Sequence, residues 1–104
     1  MIIKLQNLIG RTTHALLALD LLTQNDSEGF KGYAKDFTSI TKEEVDEAFY
    51  FLIPEARREI YGKISDVKNY LEDKQQTYEH LSYIYTTLKS LLDMMYAISK
   101  LAWR

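Results

Sequence analysis

Residues 60–102 read IYGKISDVKNYLEDKQQTYEHLSYIYTTLKSLLDMMYAISKLA, and the spacing of their apolar positions decides the fold. Ile60, Ile64, Val67, Leu71, Lys74, Tyr78 and Leu81 follow alternating steps of four and three, a heptad seam with Lys74 as its polar member. From Leu81 the seam resumes through Ile84, Leu88, Leu91, Met95, Ile98 and Ala102, after a second step of three that shifts its register. Beyond Pro54 there is no proline, and Gly62 is the single glycine, so helix is predicted on both sides of the shift. Between them Glu72-Asp-Lys-Gln-Gln-Thr77 is polar on every side, and Thr77 with Glu79 close behind is an N-cap candidate. A turn there makes two helices into an antiparallel hairpin. Without it, Pro54–Trp103 is one rod of fifty residues, about 75 Å long at about 1.5 Å per residue, which a second copy would have to cover. The expectation is an all-α fold: a small helical bundle of four main helices with a long C-terminal helical hairpin. The alternative is one long C-terminal helix in a dimeric, coiled-coil-like bundle.

Working outward, Pro54 disfavours helical geometry at Ile53 and suits the first position of a new helix, where its missing amide would be unpaired anyway. Upstream, Thr41-Lys-Glu-Glu44 is a capping box that starts a helix carrying Val45, Ala48, Phe49 and Leu52, expected to stop or kink at Ile53. Phe30, Tyr33 and Phe37 keep helical spacing, but Gly29 and Gly32 each cost roughly 1 kcal/mol against helix. The expectation for Phe30–Ile40 is therefore an irregular or one-to-two-turn segment. Thr23-Gln-Asn-Asp-Ser-Glu-Gly29 reads as a turn with a glycine available for positive φ. Before it, Leu5, Leu8, Ile9, Leu16, Leu19 and Leu22 share one face of a first helix, with Thr12 in the gap.

The chain has 104 residues, one domain's worth, so residues 1–104 are read as a single all-helical domain. It contains no cysteine, so neither a disulfide nor a thiolate-bound metal supplements the small core. Thirteen basic and fifteen acidic residues leave a net charge of −2, no general attraction for phosphate backbones, and nucleic acid is excluded as the default partner. The acid is concentrated in residues 41–80, with ten acidic and six basic side chains. Cations lie inside the first apolar run and no cleavage-site pattern follows, so no signal peptide is read and the expected location is cytoplasmic. Leu81–Leu101 is long enough to span a bilayer, but Lys89 and Asp93 at its centre argue for a buried helix instead.

Chemistry-bearing patterns are few. His14 and His80 have no acidic residue spaced for a helical metal site. Serines such as Ser65 and Ser82 have neither a histidine nor a glycine-elbow context, and there is no phosphate-cradling glycine loop. No catalytic residue and no cofactor is assigned. The acidic run Glu43-Glu44-Val45-Asp46-Glu47 places Glu44 and Glu47 on one helical face, as carboxylates sharing a hard cation must be. With Glu59 and Asp66 on the next helix, it resembles half of the motif of the all-α MazG-type nucleotide pyrophosphohydrolases, in which a Glu-Glu-x-x-Glu helix faces one bearing Glu-x-x-Asp. That resemblance implies a divalent-metal-dependent enzyme with Glu44, Glu47, Glu59 and Asp66 as ligands. The second half departs from the pattern: pairing with Asp66 puts Lys63, and pairing with Glu59 puts Gly62, where a carboxylate is required.

The stronger signal is the apolar excess of the last helix. From Leu81 to Arg104 only Lys89, Asp93, Lys100 and Arg104 are charged, while Tyr85, Leu92, Met94, Tyr96, Leu101 and Trp103 point away from the seam. Aromatic residues and methionine are enriched at interface cores, and a short chain has few helices to wrap this one. The leading expectation is a non-enzymatic interaction module, an inhibitor, adaptor, chaperone or immunity-type factor. It would bind a protein partner or itself as a homodimer through Tyr85, Leu92, Met94, Tyr96 and Trp103, with the acidic helix as a steering surface.

Overall fold

The computed structural model describes residues 2–73 and 78–102. Among them are five helices and no strand: α1 (Ile2–Thr23), α2 (Ser27–Thr38), α3 (Lys42–Ala48), α4 (Pro54–Glu72) and α5 (Tyr78–Ala102). The long helices α1, α2, α4 and α5 form an elongated bundle of 42 × 22 × 20 Å, with each packed against two others and α3 bridging α1 to α4.

The hairpin forms and the rod does not. Helix α4 ends at Glu72, the backbone at Asp73 is extended (φ −69°, ψ 130°), and α5 lies against α4. The Tyr70 ring sits 4.9 Å from His80 and 5.1 Å from Tyr83, so the last turns of α4 meet the first turns of α5. Lys74–Thr77, the rest of the stretch expected to turn, lie outside the described residues. The heptad seam is the core stripe: Ile60, Ile64, Val67 and Leu71 of α4 are buried against Ile84, Leu88, Leu91 and Met95 of α5. From α1 come Leu5, Leu8, Ile9, Ala15 and Leu19. Thr12 is fully buried among them without penalty, because its hydroxyl donates to the Leu8 carbonyl at 2.7 Å.

Two segments depart from expectation. The helix begun by the capping box ends at Ala48, not Ile53. Thr41 and Glu44 make both reciprocal bonds of the box, but Phe49 takes the cap position (φ −114°, ψ 33°) and turns its ring fully into the core. Burying that ring contributes roughly 2–3 kcal/mol, more than the few extra helical bonds would. Pro54 then opens α4 as the spacing required, with extended Ile53 before it. The second departure is α2, twelve helical residues where an irregular segment was expected, and it supplies the fourth side of the bundle in place of the short α3. The Asp26 carboxylate accepts from the Gly29 amide at 2.9 Å and caps the helix, and Ala34 and Phe37 are buried. Capping and burial together outweigh the two glycines. Gly29 is needed for closeness, not for positive φ: a Cβ there would stand 2.6 Å from Asp26 Oδ2 and 2.8 Å from Leu21 Cδ1. The left-handed residue of the turn is Asn25 (φ 61°).

Candidate interaction surface

Helix α5 turns one flank to the core and leaves the opposite flank uncovered. At about 100° per residue, the direction opposite Ile84, Leu88, Leu91 and Met95 is populated by Glu79, Ser82, Thr86, Lys89, Ser90, Asp93, Ala97 and Lys100, all exposed. Two ridges of larger side chains border this strip. On the edge toward α1 stand Tyr85 and Tyr96, 50% and 52% exposed, and on the edge toward α4 stand Tyr83 and Leu101, also exposed. Tyr85 closes a shallow recess of about 320 Å³ with Leu19, Asp20, Thr23, Leu81 and Ser82.

The five anchors expected from sequence are thus divided. Tyr85 and Tyr96 present open rings. Leu92, 9% exposed, belongs to the core of this chain, and Met94 is half-buried in a recess with Leu52, Ala56, Glu59, Ile60 and Lys63. Trp103 lies outside the described residues. Leu101 was placed away from the seam but not among the anchors, and Tyr83 was not singled out, although helical spacing alone puts it away from the seam as well. Equally unanticipated is the corner between α3 and α4, where Tyr50, Phe51 and Ile53 are exposed and the first two rings meet edge to face at 5.4 Å. Reading that stretch as helix concealed it.

The acidic helix has cationic neighbours. Glu44 accepts from Arg11 as well as from Thr41, Glu47 pairs with Lys4, and Asp46 lies 3.8 Å from Arg57. Burial pushes the Glu44 carboxyl upward, but the Thr41 amide and the hydrogen bond and charge of Arg11 outweigh it and hold the group below its ordinary value. Glu59 borders the Met94 recess and Asp66 is exposed elsewhere along α4. Among the described residues no three His, Cys, Asp or Glu side chains are gathered as a metal site, and Glu44, Glu47, Glu59 and Asp66 do not converge.

A polar cleft of about 490 Å³ lies where α1 meets the α2–α3 corner, lined by Asn7, Gly10, Arg11, His14, Asp36, Ser39 and Glu44. Arg11 donates from Nε to the Asp36 carbonyl and from Nη2 to Ser39 Oγ, each at 2.7 Å, so it clasps the end of α2 and the start of α3 to α1. His14 Nδ1 is 2.7 Å from Asp36 Oδ2, with the Tyr33 ring edge-on at 5.2 Å. The acidic partner absent from its own helix comes from α2. Ser39 Oγ donates to the Asp36 carbonyl at 3.1 Å, so its proton is directed at the backbone and not at a base. From α4, Lys68 donates to the Ile40 carbonyl and lies 5.2 Å from the Tyr61 ring. These cations tie the corner together.

Comparison with protein-family models, with curated proteins and with solved structures returns no match for this chain. Among the described residues no helix is long and apolar enough to cross a membrane.

Proposed function

We propose that this chain is a non-enzymatic all-α interaction module, of the inhibitor, adaptor, chaperone or immunity class, that meets its partner through the outer flank of α5. The observation that carries this reading is the pair of exposed tyrosines, Tyr85 and Tyr96, along one edge of a helix whose opposite flank is the core. A tyrosine presents a large apolar face with a hydroxyl that tolerates a wet rim, at low entropic cost, the character of an interface anchor. The engagement of Glu44 and Glu47 with Arg11 and Lys4 favours a scaffolding role for the acidic helix over metal binding. Expression with a photoreactive amino acid at position 85 or 96 tests the proposal. A discrete protein adduct from both positions, and none from exposed Gly62 on α4, is expected; no adduct from either would remove it.

A further inference from the structure

Resting on that reading of α5, we infer that the occupant of its outer flank is a second copy of this chain, packed antiparallel along α5 about a two-fold axis at Ser90. Four charges stand on the flank, Glu79, Lys89, Asp93 and Lys100. All are exposed, and none takes part in an ion pair among the described residues. In an isologous antiparallel pair each position faces the one equally far beyond the axis, and like edges meet. The midpoints of Lys89 and Asp93, of Glu79 and Lys100, and of Tyr85 and Tyr96 all fall within about one residue of Ser90. One register therefore sets Lys89 by the copy's Asp93, Lys100 by the copy's Glu79, and Tyr85 by the copy's Tyr96, each twice. On the other edge Tyr83 falls near the copy's Leu101.

Ser90 is also the middle residue of the 25-residue helix, so the same register overlaps α5 along its whole length of about 37 Å. The parallel arrangement would stack each of the four charges on its own kind. A face shaped for an unrelated helix has no reason to be self-complementary about its own midpoint. Ser90 at the axis is small, and so are Thr86 and Ala97 further along the flank, which lets the backbones approach to the usual 8–10 Å or so between helix axes while Lys89 and Asp93 reach across to their partners.

The chain has no cysteine, so single thiols report the register. Sedimentation equilibrium of the whole chain should show a dimer, and Ser90→Cys should oxidise to a disulfide-linked dimer, because the two positions face each other across the axis. Ser82→Cys should not link to itself, since its copy lies about 24 Å away along the axis, but should link to an Ala97→Cys chain when the two are mixed. Lys89→Glu, on an exposed position that leaves the fold intact, should weaken the dimer roughly tenfold, and the swap Lys89→Asp with Asp93→Lys should restore it. A chain that stays monomeric, or a Ser82→Cys variant that links to itself as readily as Ser90→Cys, overturns the inference. Monomers that still give adducts to other proteins from positions 85 and 96 overturn it while leaving the module reading in place. Monomers that give none overturn both.

Discussion

Replacing Arg11 with methionine keeps most of the side chain's apolar length and removes the guanidinium that ties the α2–α3 corner to α1. Two short hydrogen bonds, to the Asp36 carbonyl and Ser39 Oγ, and the ion pair with Glu44 are lost. The 3.4 Å contact with Asn7 is too long to count for much. Arg11 is only 16% exposed, which favours charge-assisted bonds of about 1.5 kcal/mol each, whereas Glu44 at 39% exposure calls for a discount on the ion pair. Water can reach the Asp36 carbonyl and Ser39 once the guanidinium is gone, so the expected net loss is about 2–3 kcal/mol. For a domain of this size that lowers Tm by about 8–15 °C.

Urea and thermal unfolding followed by far-ultraviolet circular dichroism measure the loss. A double-mutant cycle with Glu44→Gln should return a coupling of about 1 kcal/mol. The pH dependence has a definite sign. The Glu44 carboxyl is held below its ordinary value of 4.5 in the folded chain, so its contribution is complete at neutral pH and disappears as the pH falls below 4.5 through the folded-state value. The stability gap between the parent and Glu44→Gln should close over that range. A loss under about 0.5 kcal/mol for Arg11→Met, or a cycle with no coupling, would show that the corner stands without Arg11.

Three further outcomes are expected. Gly29→Ala should destabilise by about 1–2 kcal/mol, because the added methyl meets the Asp26 cap and Leu21, whereas Gly10→Ala and Gly62→Ala, in open space on α1 and α4, should each stabilise by about 0.5–1 kcal/mol; urea midpoints of the same sign at all three positions would contradict this. Leu92→Ala should cost about 2–4 kcal/mol of folding stability while Tyr96→Ser costs less than about 0.5, since Leu92 belongs to the core and Tyr96 does not; equal losses would place both residues in the same environment. Lys68→Met should cost about 1–2 kcal/mol through the lost bond to the Ile40 carbonyl and the Tyr61 ring, and unchanged unfolding would show that α4 does not hold the corner.

The parts of this fold legible in the sequence are those set by neighbours within a turn or two. The capping box at Thr41 and Glu44, Pro54 at the head of α4 and the core stripe from Ile60 to Met95 each follow from spacings of three or four residues. Helix α2 was not legible, because its two glycines are local and weigh against helix, while the burial of Phe37 that offsets them depends on the rest of the bundle. The cleft was not legible either: Arg11 reaches Ser39 and Glu44 across 28 and 33 residues, and His14 reaches Asp36 across 22. On α5 the tyrosines at 85 and 96 stood out by type, but nothing in their spacing separated them from Leu92, which α1 and the core cover.

What the sequence by itself determined is which stretches are helical on the α4–α5 side and which of their faces is most apolar, because a period of 3.6 residues is a property of the chain alone. Only the tertiary structure decided that the chain folds back after Glu72, that α2 and not α3 completes the bundle, and which of α5's apolar side chains remain in the open. Exposure belongs to a residue together with whatever packs over it, and for α5 the neighbours α1 and α4 cover Leu92 and half of Met94 while leaving Tyr83, Tyr85, Tyr96 and Leu101 to solvent.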